Sequence, residues 1–72
     1  MTRPELVAAV TAKLASDEPQ VMAAIDEMLA EYDKSDNLRA ARGLPLYEYD
    51  PYYSVMWLAR RVAVKLRLRW LG

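Results

Sequence analysis

The sequence predicts an all-α fold, a small helical bundle in which an N-terminal helical hairpin precedes a long, basic, amphipathic C-terminal helix. Two proline-containing helix starts lie close together near the N-terminus. An apolar stripe at helical spacing follows the second start, and no Gly or Pro occurs between residues 52 and 71. The chain of 72 residues is expected to form a single domain, 1–72.

The first helix is predicted at about residues 3–15. Thr2 and Glu5 have the spacing of a capping box, and Pro4 is tolerated in the first turn, where its missing N–H is not needed. A second polar start, at residues 16–19, places the end of this helix near Ala15. Apolar side chains recur on one side of the helix: Leu6, Val7, Val10 and Leu14.

The second helix is predicted at about residues 17–34. Acidic side chains occupy the rest of its circumference beside an apolar stripe, and the turn-forming residues of the segment 34–37 are expected to end it. A tyrosine-rich connection at about 35–50 follows. The buried face of this helix is predicted from an apolar stripe: Val21, Ile25, Met28, Leu29 and Tyr32.

The third helix is predicted at about residues 51–71, with Asp50 as its cap and Pro51 at its first position. A helical wheel gives it a broad apolar face that includes Val62, Leu66 and Trp70. A helix with two apolar faces needs two surfaces to pack against, so the second face predicts a homodimer or higher oligomer. That second face comprises Tyr53, Trp57, Val64, Leu68 and Leu71.

A β-strand at residues 62–70 is the alternative, because apolar and basic side chains alternate there. Its only plausible neighbour would be the segment 44–49, which Pro45 interrupts. Of the tail residues only Val62 and Val64 are β-branched, and most of the others favour helix. The helix is therefore preferred.

Charge is balanced overall and uneven along the chain. The ten basic and ten acidic residues cancel, but residues 51–72 carry five bases and no acid. The two halves are expected to neutralise each other within the fold or across a dimer; the alternative is a basic surface for a polyanion. A nucleic acid or an anionic membrane surface is thus an alternative partner.

Catalysis and cofactor binding are not expected, because the chain has no Cys or His and no Gly-rich phosphate loop. No metal site and no cofactor are predicted. The N-terminus has no apolar signal region and no long apolar run occurs, so a cytoplasmic protein is expected. The predicted function is that of a non-catalytic protein-binding module, a small oligomeric adaptor or an inhibitor acting on a larger protein. The predicted partner-binding residues are Tyr47, Tyr49, Arg61, Lys65 and Arg69.

Overall fold

The computed structural model describes residues 1–46 and 48–69. Within these residues the chain forms three helices and no strand: α1 (Arg3–Leu14), α2 (Pro19–Ala41) and α3 (Tyr53–Leu66). Helix α3 packs against both other helices, which make little contact with each other. The all-α prediction is confirmed, and the strand alternative is wrong for residues 62–69.

Helix α1 begins at the predicted capping box. The Thr2 hydroxyl accepts the Glu5 N–H at 3.3 Å, and the Glu5 carboxylate accepts the Thr2 N–H at 3.0 Å. The helix ends at Leu14. The next residue, Ala15, has a left-handed φ of 52°, and the Ser16 N–H donates to the Thr11 carbonyl at 3.1 Å. The bond from Ser16 spans five residues, as in a Schellman motif.

Helix α2 is longer than predicted, and the predicted turn at 34–37 is wrong, because this segment is helical. Its polar side chains disfavour a helix only weakly, and adding residues to an existing helix is much easier than starting one. The helix ends at Ala41, before Gly43 with a φ of 70°. The Leu44 N–H donates to the Arg39 carbonyl at 2.9 Å. The connection to α3 is correspondingly short.

Helix α3 is shorter than the predicted 51–71, and the prediction of Pro51 as its first residue is wrong, because the helix begins at Tyr53. Arg67 takes a left-handed φ of 54°, and the Leu68 N–H donates to the Ala63 carbonyl at 2.8 Å, which ends the helix. Glycine usually occupies such a position, and an arginine there gives no sequence signal for the end. Trp70 and Leu71 lie outside the described residues.

The core lies where α3 meets α1 and α2. Leu58 is fully buried, together with Leu6 of α1 and Ile25 of α2. The predicted core position of Val62 is confirmed, and Leu66 is partly buried against the same cluster. The buried cluster comprises Leu6, Val10, Val21, Ala24, Ile25, Leu29, Tyr49, Val55, Leu58, Ala59 and Val62.

Candidate protein-interaction surface

The first turn of α3 is held in place by Asp50. Its Oδ1 atom accepts the backbone N–H groups of Tyr52 at 2.8 Å and Tyr53 at 2.6 Å. In return, the Asp50 N–H donates to the hydroxyl of buried Ser54 at 2.9 Å. These reciprocal bonds satisfy free N–H groups at the start of α3 and fix the backbone position from which the Tyr53 side chain projects.

Tyr49 ties the connection to the N-terminal end of α1. Arg3 pairs with Asp33 of α2 and also donates to the Tyr49 hydroxyl at 3.2 Å. The N-terminal ammonium of Met1 donates to the Tyr49 carbonyl at 3.0 Å. Tyr49 is buried, so it offers little surface to a partner. Tyr47, predicted beside it as a partner-binding residue, lies outside the described residues.

Large apolar side chains are exposed along the side of α3 that faces away from the core. Tyr53 is 74% exposed, Trp57 45% and Val64 72%. Leu68, just past the end of the helix, is 37% exposed. These four residues are called the outer face of α3 below. They are four of the five predicted oligomer-interface residues; the fifth, Leu71, lies outside the described residues.

An aromatic groove of about 470 Å³ runs between α2 and the first half of α3. The Tyr32 ring meets the Trp57 ring edge-on, with 5.6 Å between their centroids. At the rim, the Glu31 side chain is 70% exposed and has an i,i+3 contact of 3.6 Å with Lys34. The groove is therefore apolar with an acidic rim. It is lined by Glu31, Tyr32, Ser35, Asp50, Tyr53, Ser54 and Trp57.

A basic groove of about 500 Å³ lies beside the second half of α3. The Arg61 guanidinium sits 5.4 Å from the centre of the Trp57 ring, within the range of a cation–π contact. Lys65 forms an ion pair with Glu27 of α2. Two of the predicted partner-binding residues, Arg61 and Lys65, are thus brought together. The groove is lined by Met28, Arg60, Arg61, Val64 and Lys65.

Three other basic side chains of this region form no ion pair with any residue that the structure describes. Across residues 1–46 and 48–69, no carboxylate lies within 4.0 Å of the charged groups of Arg60, Arg67 or Arg69. Arg69, predicted as a partner-binding residue, is exposed beyond the end of α3. It does not line either groove.

The contribution of α2 to the surface is the part that sequence patterns missed. Tyr32 belongs to the predicted buried stripe, but it is only half-buried and lines the aromatic groove. Ser35, predicted in a turn, instead lies on α2 and lines the same groove. The available signal was the position of Tyr32 at the edge of the apolar stripe, where a large ring can contact both the core and a groove.

Hydrogen bonds lower the pKa of three carboxyl groups in the folded state. Hydrogen bonds from Tyr53 and Tyr52 lower the pKa of Asp50, the Arg3 guanidinium lowers that of Asp33, and bonds from Thr2 lower that of Glu5. A carboxyl whose folded pKa is depressed stabilises the fold above its unfolded pKa. That stabilisation is lost as the pH falls through the folded pKa.

We therefore expect the midpoint of thermal unfolding to fall as the pH drops below about 4, the usual carboxyl range. In an Asp50→Asn variant, the side-chain oxygen still caps α3 but no longer titrates, so its midpoint should fall less steeply over the same interval. Circular dichroism at 222 nm measures both. Equal slopes for the two proteins would show that Asp50 has no part in the acid sensitivity.

Comparison of the chain with models of known protein families, with curated proteins and with solved structures finds no match. In the part of the chain that the structure describes, no helix has both the length and the apolar character needed to cross a bilayer. Within the same residues, no three acidic side chains come together as a possible metal site.

Proposed function

We propose that the protein is a cytoplasmic, non-catalytic protein-binding module that docks onto a larger protein through the outer face of α3. Docking of this kind would make it an adaptor or an inhibitor of that protein. The observation that carries the proposal is the exposure of Tyr53, Trp57 and Val64 along a single face of one helix. Aromatic residues are enriched among those that dominate binding energy in protein interfaces.

The spacing of the exposed side chains supports recognition of a helix face in a groove. Trp57 follows Tyr53 by one turn, and Val64 follows Trp57 by two, so all three project from one side. Helices that bind partner grooves use anchors with this spacing. Trp57 is also held by contacts with Tyr32 and Arg61, so less side-chain entropy is lost when it binds.

Site-specific photocross-linking tests the proposal. A benzophenone amino acid replaces Val64 in one full-length variant and Leu38 in a control; these side chains are 72% and 61% exposed. Irradiation in a lysate of the source organism should give a discrete adduct with a larger protein from position 64. Position 38, on the distal part of α2, should not give that adduct. The same adduct from both positions, or none from position 64, would contradict the proposal.

A nucleic acid or an anionic membrane is the second candidate, favoured by the unpaired guanidinium groups of Arg60, Arg67 and Arg69 within the described residues. Binding to DNA or RNA would weaken with salt, with a log–log slope of roughly −0.9 per phosphate contacted. We expect no retention on either nucleic acid at low salt and no co-sedimentation with vesicles containing phosphatidylserine. Retention with that salt dependence would contradict protein binding as the function and support nucleic-acid binding.

A further inference from the structure

We infer that the outer face of α3 binds a second copy of the same chain, with the two α3 helices antiparallel about a twofold axis beside Arg60 and Arg61. This inference rests on the proposed function, because it uses the same face as a protein-binding surface. The dimer covers that face, so the chain docks onto the larger protein only after the dimer dissociates.

The apolar side chains of the outer face match in the antiparallel orientation. Trp57 and Val64 lie about two turns apart on one side of α3, and the point midway between them falls at residues 60 and 61. A twofold axis at that point, perpendicular to the helix, places Trp57 of one copy opposite Val64 of the other. It also brings Tyr53 toward the Leu68 end of the second copy. Every large side chain of the face then meets a different side chain, which suits interdigitation.

The charges beside the face match in the same orientation. The axis lies in the plane of the interface, so it reverses the direction of α3 but keeps the α2 side of one copy next to the α2 side of the other. The acidic rim at Glu31 then faces the basic groove with Arg61 and Lys65 of the second copy. Symmetry produces this pairing twice. A parallel twofold pair would instead place the α2 side of one copy next to the opposite side of the other, so the acidic rim and the basic groove would not meet.

A second copy also fits the charge and size of the chain. Its ten acids and ten bases cancel, so two copies approach without net repulsion, while acids and bases are separated along the α2–α3 boundary. The small core of a 72-residue domain leaves stability to be gained by covering exposed apolar side chains. The one mismatch is at the axis, where the Arg60 side chains of the two copies approach each other. Arg60 is exposed in the single chain, and at the axis the two like charges oppose association.

Charge reversal tests the proposed contacts. Sedimentation equilibrium of the full chain should show a species of twice 8.3 kDa at high micromolar concentration. Glu31→Lys and Arg61→Glu should each raise the dimer dissociation constant about tenfold, since each change affects two contacts per dimer. The double variant, with the charges exchanged, should return to within about threefold of the original. A monomer at every concentration, or a double variant weaker than both single ones, would overturn the inference.

Asp26→Lys is the matched control for Glu31→Lys. Asp26 is exposed on α2 and lies about two turns before Asp33, whose carboxylate contacts Arg3 of α1. It therefore faces the α1 side of α2, away from the proposed interface. The same charge reversal at Asp26 should leave the dissociation constant unchanged. An equal loss of dimer affinity in both variants would show that the effect comes from net charge alone. That result would overturn the specific contact between Glu31 and Arg61.

Disulfide cross-linking tests the orientation, because the chain has no cysteine of its own. Trp57→Cys and Val64→Cys are prepared as separate proteins, mixed and oxidised. The mixture should give a cross-linked pair and each protein alone should give little. Identical positions would be about 10 Å apart along the helices, beyond the ~7 Å between Cα atoms that a disulfide spans. A cross-link of Val64→Cys with itself would establish a parallel pair and overturn the antiparallel one.

Tyr53→Cys mixed with Leu68→Cys repeats this test without removing Trp57.

The outcomes of these experiments also distinguish a failure of the dimer from a failure of the proposed function. A chain that stays monomeric and still forms an adduct with a larger protein from position 64 overturns the second copy as partner. A chain that dimerises as described and forms no such adduct contradicts docking onto a larger protein.

Discussion

The Leu58→Ala variant is expected to lose about 3 kcal/mol of the free energy of unfolding. Leu58 is fully buried where α3 meets α1 and α2, beside Leu6 and Ile25, which are also fully buried. Truncation removes the transfer free energy of its methyl groups and leaves a cavity that three rigid helices close only in part. A domain of this size has a total stability of about 4–11 kcal/mol, so the loss is a large share of it.

Urea denaturation followed by circular dichroism at 222 nm measures the change. Leu38→Ala is the matched control, because Leu38 is 61% exposed and its truncation should change the free energy of unfolding by less than about 0.5 kcal/mol. The midpoint for Leu58→Ala should shift strongly and that for Leu38→Ala hardly at all. A loss below about 1 kcal/mol at Leu58 would show that this position is not the centre of the core.

Local sequence signals predicted the parts of the fold that local interactions determine. The capping box of Thr2 and Glu5 is present, and Asp50 bonds the N–H groups at the start of α3. The apolar stripes of α1 and α2 supply the core, since their spacing alone decides which side of each helix can be buried. The broad apolar face of α3 is buried through Val62, as expected.

The ends of α2 and α3 were predicted wrongly because their determinants are weak or unusual. The polar residues at 34–37 are common in turns, but they also extend a helix that is already formed. At the end of α3, Arg67 adopts a left-handed conformation that costs an L-residue roughly 1–2 kcal/mol. No residue type marks it, so the end of the helix depends on the backbone bond from Leu68 to Ala63.

The candidate surface could be predicted only in part, because it is formed by two helices. The exposure of Trp57 and Val64 follows from the wheel of α3 alone. The contact of Tyr32 with Trp57 and the pairing of Lys65 with Glu27 require the alignment of α2 beside α3. For Tyr49 the long-range contacts instead remove a predicted site. The tyrosine-rich segment predicts Tyr49 as a partner-binding residue, but its contacts with Arg3 and Met1 hold it inside the fold.

The continuous course of α2 through the segment 34–37 makes a strong prediction for Ser35→Pro. Proline removes the backbone N–H of residue 35 and its ring clashes with the carbonyl one turn earlier, at a cost of about 3 kcal/mol or more in a helix interior. The residues beyond it also hold the connection, since Arg39 donates to the Pro45 carbonyl at 2.7 Å. We expect the free energy of unfolding to fall by about 3 kcal/mol.

Ser35→Ala separates the backbone effect from the loss of the side chain. Alanine keeps the N–H and has a higher helix propensity, so this variant should be as stable as the original or more stable by up to about 0.5 kcal/mol. If residues 34–37 formed a turn, proline at position 35 would be tolerated and the two variants would differ little in urea denaturation. If only the end of α2 unwound, Ser35→Pro would lower the helical signal but leave the free energy of unfolding almost unchanged. A large loss for proline combined with none for alanine therefore requires both that α2 is continuous through residue 35 and that its distal part stabilises the fold.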